Sequence, residues 1–383
     1  MQRREFGKWM AISGAALAMG APGRAVFATS NGKPAKISRT HRKEWARDTW
    51  KGFENTVMPT FTGPDLAELD EAGIRLDVRQ SIAHGFFSSL LSGAALSEAE
   101  MRRLINIAVS EAGDSIHIAI SLGNRNEADS ISLLRYAQEA GVQSFLLSPP
   151  KQGSAEDLIG YCQRVVRSTD LAAYLYLSSF HGFNRFHPSG VPIPVLDALV
   201  KEPNIVGAKI GTPDPGYYVE IFERYGSAIL PNSGWLPLFP LLVKQYGLQW
   251  SGGWTVEALQ TAEQPFAVEY FKNLMAGRES NAMKLYWAHV GPGFDNMMKR
   301  MAPLSRGGAH PWEMLKYYQF VAGGNGGRYR VDPSHPGIPS LTPEFMQQIR
   351  ADFRTIGLEP TQLSDSAFAT GRMRHQNGAS PPG

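Results

Sequence analysis

The stretch Leu171-Ala-Ala-Tyr-Leu-Tyr-Leu177, followed one helix-length segment later by Ile205-Val-Gly-Ala-Lys-Ile210, decides the fold of this chain. Both runs are almost wholly apolar, as expected for strands of a parallel sheet buried on both faces. Six similar runs accompany them, and amphipathic segments of helical length separate the eight. The eight runs are Thr56–Phe61, Gly85–Leu90, Ser115–Leu122, Gln143–Ser148, Ala172–Leu177, Ile205–Ile210, Ser227–Leu230 and Leu248–Ser251.

Eight strand–helix repeats in roughly 250 residues predict an α/β protein with a (β/α)₈ TIM barrel at residues 53–260. Ser97 and Glu100 have the spacing of a capping box at a helix start. An open doubly wound sheet is the alternative, although no G-x-G-x-x-G follows the first run. The pattern of residues 261–360 predicts a C-terminal helical extension. Residues 361–383 are rich in Ser, Gly and Pro, and this composition predicts a disordered tail.

The composition excludes several classes of protein. The chain has 383 residues, with 38 Lys and Arg against 35 Asp and Glu. Charges of one sign do not cluster, so we expect no nucleic-acid partner. A single cysteine, Cys162, excludes an internal disulfide framework and a thiolate metal cluster.

The first 28 residues resemble a twin-arginine export signal. Arg3 and Arg4 precede Phe6 and Lys8, a short apolar run follows, and small residues end at Ala28. The apolar run is shorter than the roughly 20 residues that span a membrane. We therefore expect a polar segment at 29–52 after cleavage, and a periplasmic or secreted protein without a stable membrane anchor. A mobile amphipathic N-terminus is the alternative interpretation.

Two ionisable residues fall where a TIM barrel forms its active site, at the carboxyl ends of strands. Lys209 ends the sixth run and Tyr176 stands near the end of the fifth. A buried lysine loses its charge more readily, and the neutral amine can condense with a ketone to a Schiff base. Tyr176 is then placed to transfer protons. On position alone, a salt-bridged lysine and a packed tyrosine remain open as the alternative.

The sequence around both residues resembles the dihydrodipicolinate synthase / N-acetylneuraminate lyase family of class I Schiff-base aldolases. The resemblance is carried by Thr169-Asp-Leu-Ala-Ala-Tyr-Leu-Tyr176 and by Leu199-Val-Lys-Glu-Pro-Asn-Ile-Val-Gly-Ala-Lys209. It implies a (β/α)₈ barrel, with Lys209 as the Schiff-base lysine and Tyr176 as the catalytic tyrosine. It also implies a pyruvate-type substrate, a dimer or tetramer, and neither a metal nor an added cofactor.

The chain departs from this family's pattern after the second and fourth strands. The family's Gly-Thr-Thr-Gly-Glu loop, which binds the keto-acid carboxylate, is replaced by a stretch containing Ser88, Ser89 and Ser92. We predict that these serines contact the substrate. Pro149-Pro150-Lys151 stands where the family often has a second tyrosine, so dihydrodipicolinate synthesis itself is not expected.

Aromatic residues follow the seventh and eighth runs, on the substrate side of a barrel. Trp235, Trp250 and Trp254 cluster there, and we predict that Gly234, Trp235 and Trp254 contact the substrate. Aromatic walls favour a planar or apolar substrate portion. Packing of these tryptophans against the helical extension is an equal alternative.

The resulting prediction is a lyase (an aldolase, hydratase-aldolase or dehydratase) acting on a small 2-oxo acid or aldehyde, with pyruvate as product or co-substrate. The alternative is a catalytically reduced periplasmic keto-acid binding protein, for which the altered serine loop is the main support. His181 and His187 share one loop, but no third ligand stands at metal-binding spacing.

Overall fold

The computed structural model describes residues 37–379, except positions 64, 94, 124, 179–180, 213, 254, 306–310 and 331–340. The predicted export signal at 1–28 and the first part of the polar segment 29–52 lie outside the described residues. Trp254 lies outside them as well.

Eight short parallel strands form one sheet, which confirms the predicted TIM barrel. The first seven strands lie side by side in chain order, and the eighth pairs with the first. The strands are β1 (Gly52–Val57), β2 (Ser88–Leu91), β3 (His117–Ser121), β4 (Ser144–Leu147), β5 (Ala172–Ser178), β6 (Ile205–Gly211), β7 (Leu230–Pro231) and β8 (Trp250–Ser251).

The barrel closes fully except along the seam between β7 and β8. Gly52 of β1 pairs with Trp250 of β8, which joins the first strand to the last. At the seam, the Trp250 indole donates to the Leu230 carbonyl at 2.9 Å, and the Ser251 hydroxyl donates to the Ser233 carbonyl at 2.6 Å. Side-chain hydrogen bonds therefore bridge the two strands.

Several helices begin or end at capping residues that are recognisable in the sequence. Ser97 and Glu100 form the predicted capping box, and Gly141 ends its helix in the left-handed conformation. The barrel helices are α1 (Arg42–Thr49), α2 (Glu71–Ala83), α3 (Glu98–Ala112), α4 (Glu127–Ala140), α5 (Ala155–Arg167), α6 (Ile193–Leu199), α7 (Pro215–Tyr225), α8 (Phe239–Tyr246) and α9 (Phe266–Met275).

Two separate groups of buried side chains hold the barrel together. One fills the barrel interior and includes Trp50, Leu90, Tyr174 and Trp250. The larger group lies outside the sheet, between strands and helices. Trp50 and Trp250 meet edge to face with centroids 5.0 Å apart, so the interior is packed at its amino end and is open only at the other.

Helix α1 covers the amino-terminal end of the barrel. Three of its cationic side chains donate to carbonyl groups of the loops beneath: Arg42 to Asp170 at 2.5 Å, Lys43 to Val200 at 2.6 Å, and Arg47 to Ser227 at 2.6 Å. These bonds span more than 120 positions of sequence and fix the part of the predicted polar segment that the structure describes.

The C-terminal extension is helical, as predicted. It comprises α10 (Glu279–Leu285), a π-helical turn (Tyr286–Val290), α11 (Gly291–Ser305), α12 (Trp312–Val321), α13 (Pro343–Thr355), α14 (Asp365–Thr370) and α15 (Arg372–Gln376). The last two helices correct the expectation of a disordered tail, at least over residues 361–379.

Specific contacts hold this tail despite its polar composition. Arg350 donates to the carbonyls of Thr361 at 2.5 Å and Leu363 at 2.8 Å. Phe368 is buried with its ring 5.0 Å from that of Tyr317. One aromatic anchor and one arginine therefore order a segment that composition alone assigns to disorder.

The predicted strands overlap all eight observed ones, but the first is displaced. The sequence placed it at 56–61, whereas β1 occupies Gly52–Val57. A short hairpin, pairing Phe61–Thr62 with Glu68–Leu69, uses the end of the predicted run instead. Among the described helices, none has the length and apolar character needed to cross a membrane.

Candidate active site

Lys209 and Tyr176 lie side by side at the carboxyl end of the barrel. Tyr176 of β5 and Lys209 of β6 are direct register partners in the parallel sheet. Both side chains are half-buried and line the same cavity. The position of the pair agrees with the place where TIM barrels carry their chemistry.

A glycine on the neighbouring strand makes room for the tyrosine ring. A Cβ atom added at Gly211 would lie 3.1 Å from both Cε2 and the hydroxyl oxygen of Tyr176. A larger residue there would push the ring away from its present place. The sequence Lys209-Ile-Gly211 thus supplies both the amine and the space beside it.

The surroundings of Lys209 favour the neutral amine. Burial lowers the pKa of Lys209 below its usual value, and the Glu54 carboxylate opposes that shift. Among the described residues, no hydrogen-bond acceptor and no contact ion-pair partner of Nζ is present. The amine therefore lies at the cavity without a contact partner in the described part of the chain.

Glu54 stands on β1 inside the barrel and is only 3% exposed. Its carboxylate accepts hydrogen bonds from the Ser88 hydroxyl and the Tyr174 hydroxyl, each at 3.0 Å. Burial raises the pKa of Glu54, whereas Lys209 and the two hydroxyls oppose that rise. A carboxyl group thus lies in the layer beneath the lysine.

Tyr176 has polar neighbours that could assist proton transfer. A hydrogen bond with the Ser178 side chain lowers the pKa of the phenol, while burial raises it more strongly. The His181 ring meets the Tyr176 ring edge to face, with centroids 5.3 Å apart. Burial, with Lys151 and Arg185 nearby, lowers the pKa of His181 to about 4, so its imidazole is neutral near pH 7.

The cavity above the pair has a volume of about 1050 Å³. Pockets of roughly 300–1,000 Å³ hold drug-sized ligands, so this one exceeds the needs of a three-carbon acid. All eight strands or the loops that follow them contribute to its wall. Its charged groups are Lys209, Arg125 and Lys151, set against Glu98 and Asp129.

The predicted substrate-contacting residues separate into two sets. Ser92, Gly234 and Trp235 line the cavity together with Lys209 and Tyr176. The Trp235 ring also packs edge to face against that of Phe294, with centroids 5.3 Å apart. Trp235 therefore contacts both the cavity and the helical extension.

The other predicted positions lie elsewhere. Ser88 and Ser89 do not line the cavity, because their hydroxyls donate to Glu54 and to Asn55 Oδ1 within the barrel wall. Trp250, from the predicted tryptophan cluster, is wholly buried at the amino end of the interior. Trp254 falls outside the described residues.

Sequence reasoning missed Glu54, Tyr174 and His181. Glu54 preceded the displaced first predicted strand, so it was not placed inside the barrel. Tyr174 stands two residues before Tyr176, and the period of two in strands could have placed both on the inner face. His181 was set aside as a metal ligand in favour of a surface or substrate-contacting histidine, and its contact with the Tyr176 ring is what the sequence did not indicate. In the described part of the chain, no three His, Cys, Asp or Glu side chains cluster as metal ligands would.

Comparison with known proteins identifies a matching family profile and similar sequences and structures. The sequence profile of the dihydrodipicolinate synthetase family matches residues 67–248. A 4-hydroxy-tetrahydrodipicolinate synthase from Methanothermobacter thermautotrophicus is 25% identical over 172 residues, covering 43% of this chain and 58% of that protein. This chain thus spans less than two thirds of that relative's length. A synthase from Syntrophobacter fumaroxidans is 25% identical, covering 61% of this chain and 80% of its own length.

Other similar proteins are named as a dehydratase or as an aldolase rather than as a synthase. A probable 5-dehydro-4-deoxyglucarate dehydratase from Pseudarthrobacter chlorophenolicus is 25% identical, over 48% of this chain and 57% of its own. Among solved structures, the sialic acid aldolase of Ruminococcus gnavus has a TM-score of 0.63 at 14% identity, covering 80% of this chain and 97% of its own. The dihydrodipicolinate synthase of Oceanobacillus iheyensis has a TM-score of 0.62 at 12% identity, covering 82% and 98%. At such identities the structures establish a shared fold.

Proposed function

We propose that this chain, whose residues 67–248 match the profile of the dihydrodipicolinate synthetase family, is a lyase that forms a Schiff base between Lys209 and a 2-oxo acid. The observation that carries the proposal is the pairing of Lys209 with Tyr176 at the floor of one cavity. Relatives named as synthases, dehydratases and an aldolase support a lyase at the family level.

The chemistry follows from the two side chains. The neutral Lys209 amine attacks the ketone carbon, and the Tyr176 phenol protonates the departing hydroxyl, so that loss of water leaves a phenolate and an iminium that accepts an electron pair. In a 4-hydroxy-2-oxo acid, the C3–C4 bond then breaks as the hydroxyl proton passes to Tyr176, releasing an aldehyde. The remaining enamine takes up a proton and is hydrolysed, which releases pyruvate and restores Lys209.

The same iminium supports dehydration or the reverse addition. Loss of a C3 proton and of a C4 hydroxyl as water would make the protein a dehydratase, and addition of pyruvate to an aldehyde would make it an aldolase. In each reaction the iminium on Lys209 accepts the electron pair of the breaking bond. The proposal therefore requires no added cofactor.

The cavity favours a substrate larger than pyruvate alone. Its volume leaves room beyond Lys209, and Trp235 and Trp312 supply aromatic walls there. We therefore propose an aromatic or otherwise planar group on the aldehyde portion. Ser92, which faces the cavity, is the serine best placed to contact the keto-acid carboxylate.

Location and assembly are part of the proposal. We propose export through the twin-arginine signal and a periplasmic or secreted location, and a reporter fused to residues 1–28 in a strain lacking that pathway would test it. We also propose a homo-oligomer, either dimer or tetramer. A similar solved structure is described as a monomeric synthase variant, so light scattering of the mature protein is the appropriate check.

Turnover assays separate the lyase from a binding protein. The mature protein would be incubated with 4-hydroxy-2-oxo acids bearing aliphatic or aromatic groups, and released pyruvate measured with lactate dehydrogenase. The lyase predicts substrate-dependent pyruvate release that Tyr176→Phe reduces by about 10²- to 10⁴-fold. Ligand-induced thermal stabilisation without any product, across the series, would instead support the catalytically reduced binding protein.

A further inference from the structure

The barrel layer beneath Lys209 contains a buried carboxyl group that the lyase chemistry above does not use. Glu54 of β1 faces inward, because Tyr174 reaches its carboxylate from the opposite side of the barrel at 3.0 Å. Tyr174 and Tyr176 are two positions apart on β5, so both point inward, one layer apart. Glu54 therefore lies one layer below the Tyr176–Lys209 pair.

Two glycines border the layer that holds this carboxyl group and add no side chain of their own to it. Gly207 lies two positions before Lys209 on β6 and pairs with Tyr174, so it contributes no side chain to the Glu54 layer. A Cβ atom at Gly252 would lie only 2.7 Å from Glu54 Oε1. Since Gly252 also lines the cavity, the carboxyl group lies just under the cavity floor.

We propose that Glu54 is a positioning residue that acts as the counter-charge of Lys209, favouring positive charge on that side chain as ammonium and, after condensation, as iminium. The inference rests on the proposed function for its iminium part only. The ammonium and a ketone give the iminium and water, so the charge facing Glu54 is the same before and after condensation. The neutral amine and the neutral enamine are the states that it disfavours.

The hydrogen bonds of Glu54 support a charged carboxylate. The Tyr174 and Ser88 hydroxyls both donate to it, and hydrogen bonds to the charged form favour that form. Among the residues that the structure describes, Glu54 of β1 is the charged group that acts on Lys209, and Tyr176 of β5 is its neighbour in the sheet. Of these, Glu54 is the acid, and burial opposes its charge just as it opposes that of the lysine.

Competitive acetylation with acetic anhydride tests the proposal without any substrate. The reactivity of Lys209 would be followed by mass spectrometry of its peptide between pH 6 and pH 11. In Glu54→Gln, we expect the midpoint of reactivity to fall by about one pH unit, equivalent to roughly tenfold higher reactivity at pH 7. Ser88→Ala is the matched control: it removes a hydrogen bond to the same carboxylate but keeps the charge, so the midpoint should move much less.

An unchanged midpoint in Glu54→Gln would overturn the proposal. If circular dichroism shows that this variant does not fold, Glu54→Asp replaces it, because the shorter side chain moves the charge away from Lys209 and must also lower the midpoint. Borohydride trapping with pyruvate would run in parallel. A shifted midpoint without any pyruvate adduct in the parent protein would leave the counter-charge intact and reject the Schiff-base function.

Discussion

Lys316 and Lys209 both lie within the fold, and their surroundings differ. Lys316 of α12 is 0% exposed, forms an ion pair with Asp77 of α2, and donates to the Met58 carbonyl at 3.3 Å. Lys209 lies on the other side of the β1 wall, facing a cavity, with Glu54 beneath it but not in contact.

The two lysines differ in how their charge is matched. The ammonium of Lys316 is matched by a contacting carboxylate and a carbonyl, which is how a buried charge is stabilised. Lys209 keeps a counter-charge at a distance and an open side towards the ligand. Burial alone therefore does not distinguish the two lysines, whereas the contacting carboxylate of Lys316 and the cavity beside Lys209 do.

The largest expected effect is loss of activity when the reactive lysine is removed. Lys209→Ala should reduce turnover by roughly 10⁴-fold or more, because no other group can form the iminium. Pyruvate release from the best substrate of the series measures the effect. Lys272→Ala, at an exposed pair with Glu269, is the matched control and should retain full activity. If Lys209→Ala were as active as the parent protein, Lys209 would not be the lysine that forms the Schiff base.

Removal of the structural lysine should act on stability instead. Lys316→Met leaves Asp77 buried without its partner, and we expect a loss of about 3–5 kcal/mol in the free energy of unfolding. Lys209→Met should lose less, since Glu54 keeps its bonds from Tyr174 and Ser88. Urea unfolding of the two variants checks this order, and a greater loss in Lys209→Met would reverse the assignment.

The stability of the region around Lys316 should also depend on pH. His84 lies there, and burial lowers its pKa from 6.5 to about 4. Between those values the unfolded chain binds more protons than the folded one, so stability falls as pH drops below about 6.5, by up to a few kcal/mol. Protonation would break the bond in which Gln260 donates to His84 Nδ1 at 3.2 Å.

Thermal unfolding between pH 7 and pH 4.5 measures this dependence. In His84→Gln the decline should be shallower than in the parent protein, because one titrating group is gone. Identical declines would show that His84 does not control the acid response of this region.

The smallest effect is expected at the cavity wall. Trp235→Ala removes an aromatic surface distant from bond breaking, and we expect KM for an aromatic substrate to rise about tenfold, with a smaller change in kcat. Trp235→Phe should restore most of the affinity. A fall in kcat at unchanged KM would place Trp235 among the groups that act on the transition state.

Much of the fold could be predicted because strand and helix signals are local. The apolar runs gave eight strands, and residues such as Ser97 and Gly141 marked helix boundaries. Contacts between distant segments could not be predicted in this way. Arg350 and Phe368 order a tail whose composition indicates disorder, and Ser88 turns towards Glu54 rather than the cavity.

The site was only partly predictable for the same reason. Lys209 and Tyr176 follow from strand order, since neighbouring parallel strands bring their carboxyl ends together. Glu54 could not be placed because the first strand was predicted to start at Thr56, whereas it starts four residues earlier, at Gly52. Whether a strand residue faces inward depends on register, and a run of apolar residues does not fix where the strand begins.

We expect Lys209, and not Lys316, to condense with a 2-oxo acid. The most direct measurement is intact-protein mass after incubating the mature protein with pyruvate and sodium borohydride, followed by peptide mapping. We predict one reduced adduct per chain on the peptide containing Lys209, absent in Lys209→Ala. No adduct with pyruvate or with bulky aromatic 2-oxo acids, or an adduct on another lysine, would contradict the claim.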